Sequence, residues 1–223
     1  MFIKEAAALI IIGLCGRSGS GKSTVAEFWR RMGAVVIDAD EVCHYVYSEN
    51  SSCVSELCER FGSDVAVDGV IVRPILAKRA YGAEGGIAIL NSIAHKYIME
   101  EIEKRICDAK QNGTRVVIID APLLFESGLD KHCDIVTAVV SSDALQVERL
   151  KIRDDKSLEE LNKRLSQQLN NEELEKRCQC IIANNGSIAE LRQKALRAMF
   201  GIQLKLGCTN RNKKRRFYVK KKC

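Results

Sequence analysis

The stretch GLCGRSGSGKST at residues 13–24 follows the apolar run ALIII, and it constrains the fold of this chain more than any other segment. The spacing of Gly16, Gly21, Lys22 and Ser23 fits the pattern G-x-x-x-x-G-K-[ST]. Consecutive backbone amides in such a loop converge on an anionic oxygen, and a Cβ at several positions would block that approach. The next residues, VAEFWRRM, are typical of a helix. The segment therefore predicts a buried strand, a phosphate-binding loop (a P-loop) and a helix.

Two polar side chains of this loop have expected roles. Lys22 would reach the β- and γ-phosphates of a nucleotide. The positive end of the helix that begins there would attract the same phosphates. The Ser23 hydroxyl would ligate Mg²⁺. The alternative interpretation is a glycine-rich turn between a strand and a helix, with an exposed lysine.

Length and composition limit the class of protein. The chain has 223 residues, 46% of them hydrophobic, which suits one domain with a subdomain. No apolar run approaches the roughly 20 residues that a membrane span needs. Cleavage after AAALIIIGLC would destroy the P-loop, so we interpret this stretch as a buried strand and expect a cytoplasmic protein. The ten cysteines include no C-x-x-C pair, and only three histidines are present, so we expect reduced thiols and no zinc site.

The positive charge is concentrated at the carboxyl end. The net charge is +6, and residues 205–223 contain nine lysines or arginines and no acid. Such a segment can bind nucleic acid, but no nucleic-acid motif accompanies it. We therefore expect a disordered basic tail.

Five short apolar runs predict the strands of a parallel sheet covered on both faces: ALIIIGLC, AVVID, RVVIID, DIVTAVV and CQCIIAN. Helical patterns separate these runs, which indicates an α/β fold. More than seventy mostly helix-like residues lie between Asp38 and Arg115, too many for a plain crossover. They predict a helical subdomain over the carboxyl ends of the strands, where substrates bind. The polar stretch at about 154–176 is interpreted as a lid or as a surface helix.

Three acidic residues follow two of the predicted strands. Asp120 ends RVVIID, at the sheet edge where an acid can hold Mg²⁺, although an aspartate there can also form a turn. Asp38 and Asp40 follow the second strand. One of them could orient or deprotonate an attacking hydroxyl, and one could cap the helix that begins there.

Arg149 and Arg153 in QVERLKIRDD lie four residues apart, on one face of a predicted helix. Arginine forks stabilise the charge that spreads over a transferred phosphoryl group. A solvated helix face is the competing interpretation.

These segments together resemble the dephospho-coenzyme A kinases over roughly residues 8–195. The segments that carry the resemblance are GLCGRSGSGKST, VIDADEVCH, DGVIVRPIL, LNSIAH, IIDAPLLFESGLDKHCDIV, QVERLKIRDD, KRLSQQ and IIANNGS. The resemblance implies that ATP, with Mg²⁺, phosphorylates the ribose 3′-hydroxyl of dephospho-coenzyme A. It also implies a P-loop NTPase-type fold with five parallel strands flanked by helices, a helical substrate-binding subdomain and a lid.

The resemblance implies limits and roles for parts of this chain. The kinase domain is expected at 1–204, with its core at about 8–40 and 114–204, the acceptor-binding insertion at about 41–113, and the basic tail at 205–223. Asp40 matches the proposed catalytic acid, with Asp38 as the alternative, and Arg149 matches an arginine near the transferred phosphate. Positions matched to the ATP loop are Gly19, Ser20, Gly21, Lys22, Ser23 and Thr24. Positions matched to the acceptor pocket are Arg73, His95, Pro122, Leu123 and Glu126.

The chain departs from the family pattern at five positions. Cys15 and Arg17 stand where threonine and glycine are usual, Lys96 where proline is usual, and Cys178–Gln179 where Ala-Asp is common. Two other functions remain as alternatives at this point. One is another small-molecule kinase, such as a nucleoside monophosphate kinase. The other is a GTPase-like switch, although the chain has no N-K-x-D guanine signature. A monomer and a small homo-oligomer are both compatible with the sequence.

Overall fold

A computed structural model describes residues 9–154, 157–166, 168–207 and 217–219. The chain forms two compact units: unit 1 comprises Met1–Val36 and Lys110–Cys223, and unit 2 comprises Ile37–Ala109. The elements in chain order are β1 (Ile10–Cys15), α1 (Lys22–Arg31), β2 (Val35–Asp38), α2 (Ala39–Glu49), α3 (Ser51–Phe61), β3 (Ala66–Val67), β4 (Val70–Ile71), α4 (Arg73–Gly82), α5 (Gly86–Gln111), β5 (Val116–Asp120), β6 (Ile135–Val140), α6 (Asp143–Asp154), α7 (Leu158–Ser166), α8 (Asn171–Arg177), β7 (Cys180–Ala183), α9 (Ile188–Gly207) and β8 (Phe217–Val219).

The main sheet has the strand order β2-β5-β1-β6-β7-β8. β1 pairs in parallel with β5 and β6, and β7 pairs in parallel with β6 and β8. β5 and β6 are buried along their whole length, as expected for β-branched strands covered on both faces. The predicted α/β fold with five parallel strands flanked by helices is confirmed, and β8 adds a short sixth strand.

Two helices cover the core of unit 1. α1 buries Val25, Ala26 and Trp29, and the Trp29 indole nitrogen donates a 2.9 Å hydrogen bond to the Ala195 carbonyl of α9. The same apolar cluster contains Ile12 of β1 and many other strand residues. This packing fixes the start of α1 relative to the sheet, and therefore also the loop that leads into α1.

Unit 2 consists mainly of helices, as the sequence predicts, but it also contains a hairpin that the sequence interpretation missed. β3 and β4 pair in antiparallel fashion around Asp68 and Gly69, which have φ angles of 51° and 78°. An Asp-Gly pair between apolar residues is a strong hairpin signal, because both central residues of a type I′ turn need positive φ. The interval is therefore not helical throughout.

The basic tail is only partly described. Residues 205–207 end α9, and residues 217–219 form β8, so the predicted tail boundary at 205 falls inside a helix. The predicted disorder of the other tail residues concerns positions outside the described part of the chain. None of the described helices is both long and apolar enough to cross a bilayer.

Candidate active site

The loop between β1 and α1 is held so close to other parts of unit 1 that three of its residues, Gly16, Gly19 and Gly21, have no room for a side chain. A Cβ on Gly16 would lie 2.5 Å from the carbonyl oxygen of Val139, and a Cβ on Gly21 would lie 2.3 Å from Asn184 Nδ2. Gly21 also has a φ of 94°, which residues with a side chain rarely adopt. Phosphate approach is thus not the only reason for these glycines, because β6 and the segment after β7 occupy the same space.

We expect Gly21→Ala to lower the free energy of unfolding by about 3–4 kcal/mol, from the positive φ and the overlap with Asn184 together. Gly113→Ala is the matched control, because Gly113 has a φ of 74° but nothing within 4 Å of an added Cβ. That control should cost only about 1–2 kcal/mol in urea titrations. Equal losses for the two variants would contradict the steric argument, and removing the Asn184 side chain should restore part of the stability of Gly21→Ala.

Arg149 of α6 and Asn184, which follows β7, both donate hydrogen bonds to the backbone of the P-loop. Asn184 Nδ2 donates a 2.8 Å hydrogen bond to the Ser20 carbonyl. Arg149 donates from Nη1 to the Gly19 carbonyl and from Nη2 to the Asn184 carbonyl, both at 3.2 Å. The sequence analysis selected Arg149 but missed Asn184. Its signal was available, since a polar residue directly after a buried parallel strand lies at the ligand-binding edge of the sheet.

The residues at the start of α1 differ in what they expose. Gly21 is the N-cap and no side chain caps the helix there, while Ser23 and Thr24 in the first turn are exposed. This leaves a helix N-terminus suited to an anion, with two hydroxyls beside it. Ser20 is fully buried, its amide donates to the Arg17 carbonyl and its carbonyl accepts from Asn184. A direct contact of Ser20 with nucleotide stays a prediction, since its described hydrogen bonds are with protein.

Lys22 and Asp120 form an ion pair at the carboxyl end of the sheet. Asp120 ends β5 and lies opposite Leu14 in the parallel pairing with β1, so both strands deliver their last residues to one edge. Lys22 Nζ donates to Asp120 Oδ1, with side chains only 15% and 6% exposed. The structure therefore brings together the two charged residues that the sequence assigns to phosphate and metal. Their roles in binding stay predictions.

Arg153 does not share the environment of Arg149, although both lie on α6. Its side chain is 56% exposed, and Nη2 donates a 2.9 Å hydrogen bond to Asp154 Oδ2. This hydrogen bond raises the pKa of Arg153 above its usual value. Arg153 thus has its own carboxylate partner, whereas Arg149 is bound to the P-loop.

The predicted acceptor residues of unit 1 lie in the turns that follow β5. Pro122 is half-buried, and Leu123 and Glu126 are exposed. The Ala121 amide donates a 3.1 Å hydrogen bond to the Leu14 carbonyl, which keeps this segment beside the end of β1. The role of these residues in acceptor binding stays a prediction.

Within unit 2, Asp38 and Asp40 have different environments. Asp38 is the N-cap of α2, and its Oδ1 accepts hydrogen bonds from the amides of Asp40 at 2.8 Å and Glu41 at 3.2 Å. Asp40 is exposed in the first turn of α2. The capping alternative therefore describes Asp38, while the Asp40 carboxylate faces solvent.

The two other predicted acceptor residues in unit 2 lie on its helices. Arg73 begins α4, and its guanidinium lies 5.4 Å from the centroid of the Tyr47 ring. This is a cation–π distance, which orients the arginine while leaving it exposed. His95 is exposed on α5.

Four described cysteines of unit 1 are buried free thiols: Cys15, Cys133, Cys178 and Cys180. Cys15 Sγ lies 3.6 Å from Cys178 Sγ, and this hydrogen bond, together with burial, raises the pKa of Cys15 well above its usual value. Burial raises the pKa of Cys180 to about 12. With their raised pKa values, Cys15 and Cys180 are protonated thiols at neutral pH and therefore poor nucleophiles and metal ligands. In the described part of the chain, no three His, Cys, Asp or Glu residues cluster as metal ligands would.

Comparison with known proteins places this site in a family. The family model for dephospho-CoA kinase matches residues 10–190. A dephospho-CoA kinase of Corynebacterium efficiens is 36% identical over 188 residues, which cover 84% of this chain and 94% of that protein. Among solved structures, Thermus thermophilus TT1252 is 29% identical with a TM-score of 0.74, over 87% of this chain and 97% of that one. The dephospho-CoA kinase from Campylobacter jejuni is 26% identical with a TM-score of 0.65, over 86% and 96%. This chain belongs to the dephospho-CoA kinase family.

Proposed function

We propose that this protein transfers the γ-phosphoryl group of ATP to the ribose 3′-hydroxyl of dephospho-coenzyme A, giving coenzyme A and ADP. The observation that supports this most is the P-loop itself, held at the carboxyl end of β1 by Arg149 and Asn184, in a chain of the dephospho-CoA kinase family. Phosphoryl transfer leaves the protein little covalent chemistry, so a rigid, positively charged cradle supplies most of the catalysis.

The nucleotide half of the reaction is assigned to unit 1. The uncapped N-terminus of α1 and the Lys22 ammonium would bind the phosphates. Lys22 already has a carboxylate partner in Asp120, which holds the ammonium at this edge of the sheet. Arg149 would act near the transferred group, and its hydrogen bond to the Gly19 carbonyl also supports the loop. Arg153, on the exposed side of α6, is the second candidate for charge neutralisation.

The oxygen donors at this edge fit a magnesium ion. The exposed Ser23 hydroxyl and the Asp120 carboxylate are hard ligands of the kind that Mg²⁺ prefers, and phosphate oxygens and water complete such sites. When bound, Mg²⁺ would neutralise phosphate charge. The described chain has no cluster of three or more potential ligands. We therefore propose that the ion binds together with the nucleotide.

The acceptor half of the reaction is assigned to Asp40. Its exposed carboxylate is available to accept the proton of the 3′-hydroxyl, whereas the Asp38 carboxylate is used in capping α2. Arg73 and His95 of unit 2, with the segment at 122–126, are the proposed contacts of dephospho-coenzyme A. We also propose that the protein is cytoplasmic, that residues 154–176 act as a lid, and that the tail is dispensable for catalysis.

A coupled ADP-release assay tests the proposed function. Mg·ATP is supplied with dephospho-coenzyme A, with adenosine monophosphate, or without acceptor, and GTP replaces ATP in parallel reactions. We expect turnover with ATP and dephospho-coenzyme A, and a new 3′-phosphate detected by ³¹P NMR. Turnover with the monophosphate alone, or a preference for GTP, would contradict the proposal.

A further inference from the structure

We infer that Arg17, inside the P-loop, is a positioning residue. It joins this loop to the helices α6 and α7 and so sets the affinity for the nucleoside triphosphate. The inference rests on the proposed function for the identity of the nucleotide. It concerns one of the positions at which the sequence departs from the pattern of the family that it resembles.

Arg17 makes two hydrogen bonds to distant parts of unit 1. Nη1 donates to Asp143 Oδ1 at 2.6 Å, and Nη2 donates to the Leu165 carbonyl at 3.2 Å. The arginine side chain is only 11% exposed, although Asp143 is 74% exposed. The low exposure of the Arg17 side chain, together with its second acceptor, distinguishes this contact from an ordinary surface ion pair, because both restrict the rotamers of Arg17.

The next residue repeats the connection. The Ser18 amide donates a 2.9 Å hydrogen bond to Gln168 Oε1, three residues after Leu165. Two successive P-loop residues are thus bound to the same segment at the end of α7. This segment approaches the loop from one side, while Arg149 and Asn184 hold the other half of the loop at Gly19 and Ser20.

The carboxyl end of α7 and the Asp143 carboxylate both favour an arginine at this position. Leu165 lies in the last turn of α7, at the negative end of that helix, and its carbonyl also accepts a 3.2 Å hydrogen bond from the Gln168 amide. Asp143 lies in the first turn of α6. A cation between a helix carboxyl end and a carboxylate is stabilised by both, whereas a glycine there would leave both without this donor.

The position of α7 is in turn fixed by its apolar face. Leu161 and Leu165 of α7 form a buried cluster with Leu150 of α6, and Val147 packs against it. Leu165 therefore takes part in two contacts, with its side chain in this cluster and its carbonyl on Arg17. Through Leu165 and Arg17, the packing of α6 against α7 therefore restrains the backbone of the P-loop, where the phosphates are proposed to bind.

This arrangement predicts how Arg17 acts. Nη1 and Nη2 of its guanidinium already donate to Asp143 and Leu165, so we expect Arg17 to influence the phosphates by fixing the loop. Loss of Arg17 should weaken the binding of the triphosphate and increase the local opening of the end of α7. The KM for the acceptor should change little. A purely structural residue would change the stability alone.

The test compares Arg17→Ala with Arg17→Lys and with the matched control Arg31→Ala. Arg31 on α1 is 70% exposed and pairs with the partly exposed Glu27, so its removal changes the net charge equally without affecting the loop. For Arg17→Ala we expect the Kd for ATP, measured by calorimetry without acceptor, to rise roughly tenfold. The KM for ATP should rise in parallel, with kcat within about twofold of the wild type.

Two further readouts separate positioning from stability and from the function itself. Hydrogen–deuterium exchange of the α7 amides, measured without any ligand, should be faster in Arg17→Ala and close to wild type in Arg31→Ala. It should be intermediate in Arg17→Lys, which keeps the positive charge but has only one donor nitrogen. Unchanged Kd for ATP and unchanged exchange, with only a lower Tm, would overturn the inference. Calorimetry and exchange need no acceptor, so a wild-type protein that binds ATP but fails to phosphorylate dephospho-coenzyme A would refute the proposed function alone.

Discussion

Replacing Asp40 with asparagine is expected to lower kcat with dephospho-coenzyme A by roughly 10²- to 10⁴-fold, the range for loss of a general base. The physical reason is that an amide cannot accept the proton of the 3′-hydroxyl, although it has nearly the same size. Because the Asp40 side chain is exposed, folding should be unaffected. The ADP-release assay gives kcat, and the midpoint of thermal unfolding verifies that the variant is folded.

Asp38→Asn is the matched control for that variant. Asparagine caps helices as well as aspartate does, so the hydrogen bonds to the amides of Asp40 and Glu41 can persist. We therefore expect Asp38→Asn to keep most of the activity and stability, while Asp38→Ala should cost about 1 kcal/mol of stability. The opposite result, an inactive Asp38→Asn and an active Asp40→Asn, would exchange the roles of the two acids.

Lys22→Ala is expected to lower kcat/KM for ATP by roughly 10²- to 10³-fold, because a preorganised positive charge at the phosphates is lost. It should also destabilise the protein by about 2–3 kcal/mol, because the largely buried Asp120 loses its ammonium partner. Steady-state kinetics and urea unfolding measure the two effects separately. Lys131→Ala, at an exposed lysine of unit 1, is the control and should change neither quantity.

The double variant Lys22→Ala/Asp120→Asn separates the two consequences. Neutralising Asp120 removes the charge that Lys22 balanced, so most of the lost stability should return, while activity should remain low. Recovery of activity together with stability would mean that Lys22 acts only through the fold, and our assignment of Lys22 to the phosphates would be wrong.

Much of this architecture is predictable from local sequence. The five parallel strands are continuous β-branched runs, and such runs have few other stable environments than a sheet covered on both faces. Asp120 could be placed beside the P-loop because parallel strands end at the same edge. The helices α2 to α5 are also predictable as a group, because most of the interval between Asp38 and Arg115 is helix-like in sequence.

The missing parts depend on side-chain contacts between distant residues. Periodicity does not show that Arg149 reaches the Gly19 carbonyl or that Arg17 reaches Leu165, because each pair is joined only by the packing of α6 and α7 against the loop. The short strand β8 was missed for another reason. The three apolar residues FYV lie within a strongly basic segment, and composition suggested disorder where the free edge of β7 offers pairing.

The way unit 2 interrupts unit 1 has a consequence for how the chain reaches its folded state. Unit 2 is one uninterrupted segment, and its contacts are close in sequence, so it can become ordered early. β1 cannot become ordered early in the same way, because its parallel neighbours begin only at Val116 and Ile135. During synthesis this apolar strand must remain unpaired while all of unit 2 is made. Nucleotide binding, which needs β1 complete in the sheet, is therefore among the last properties that the growing chain acquires.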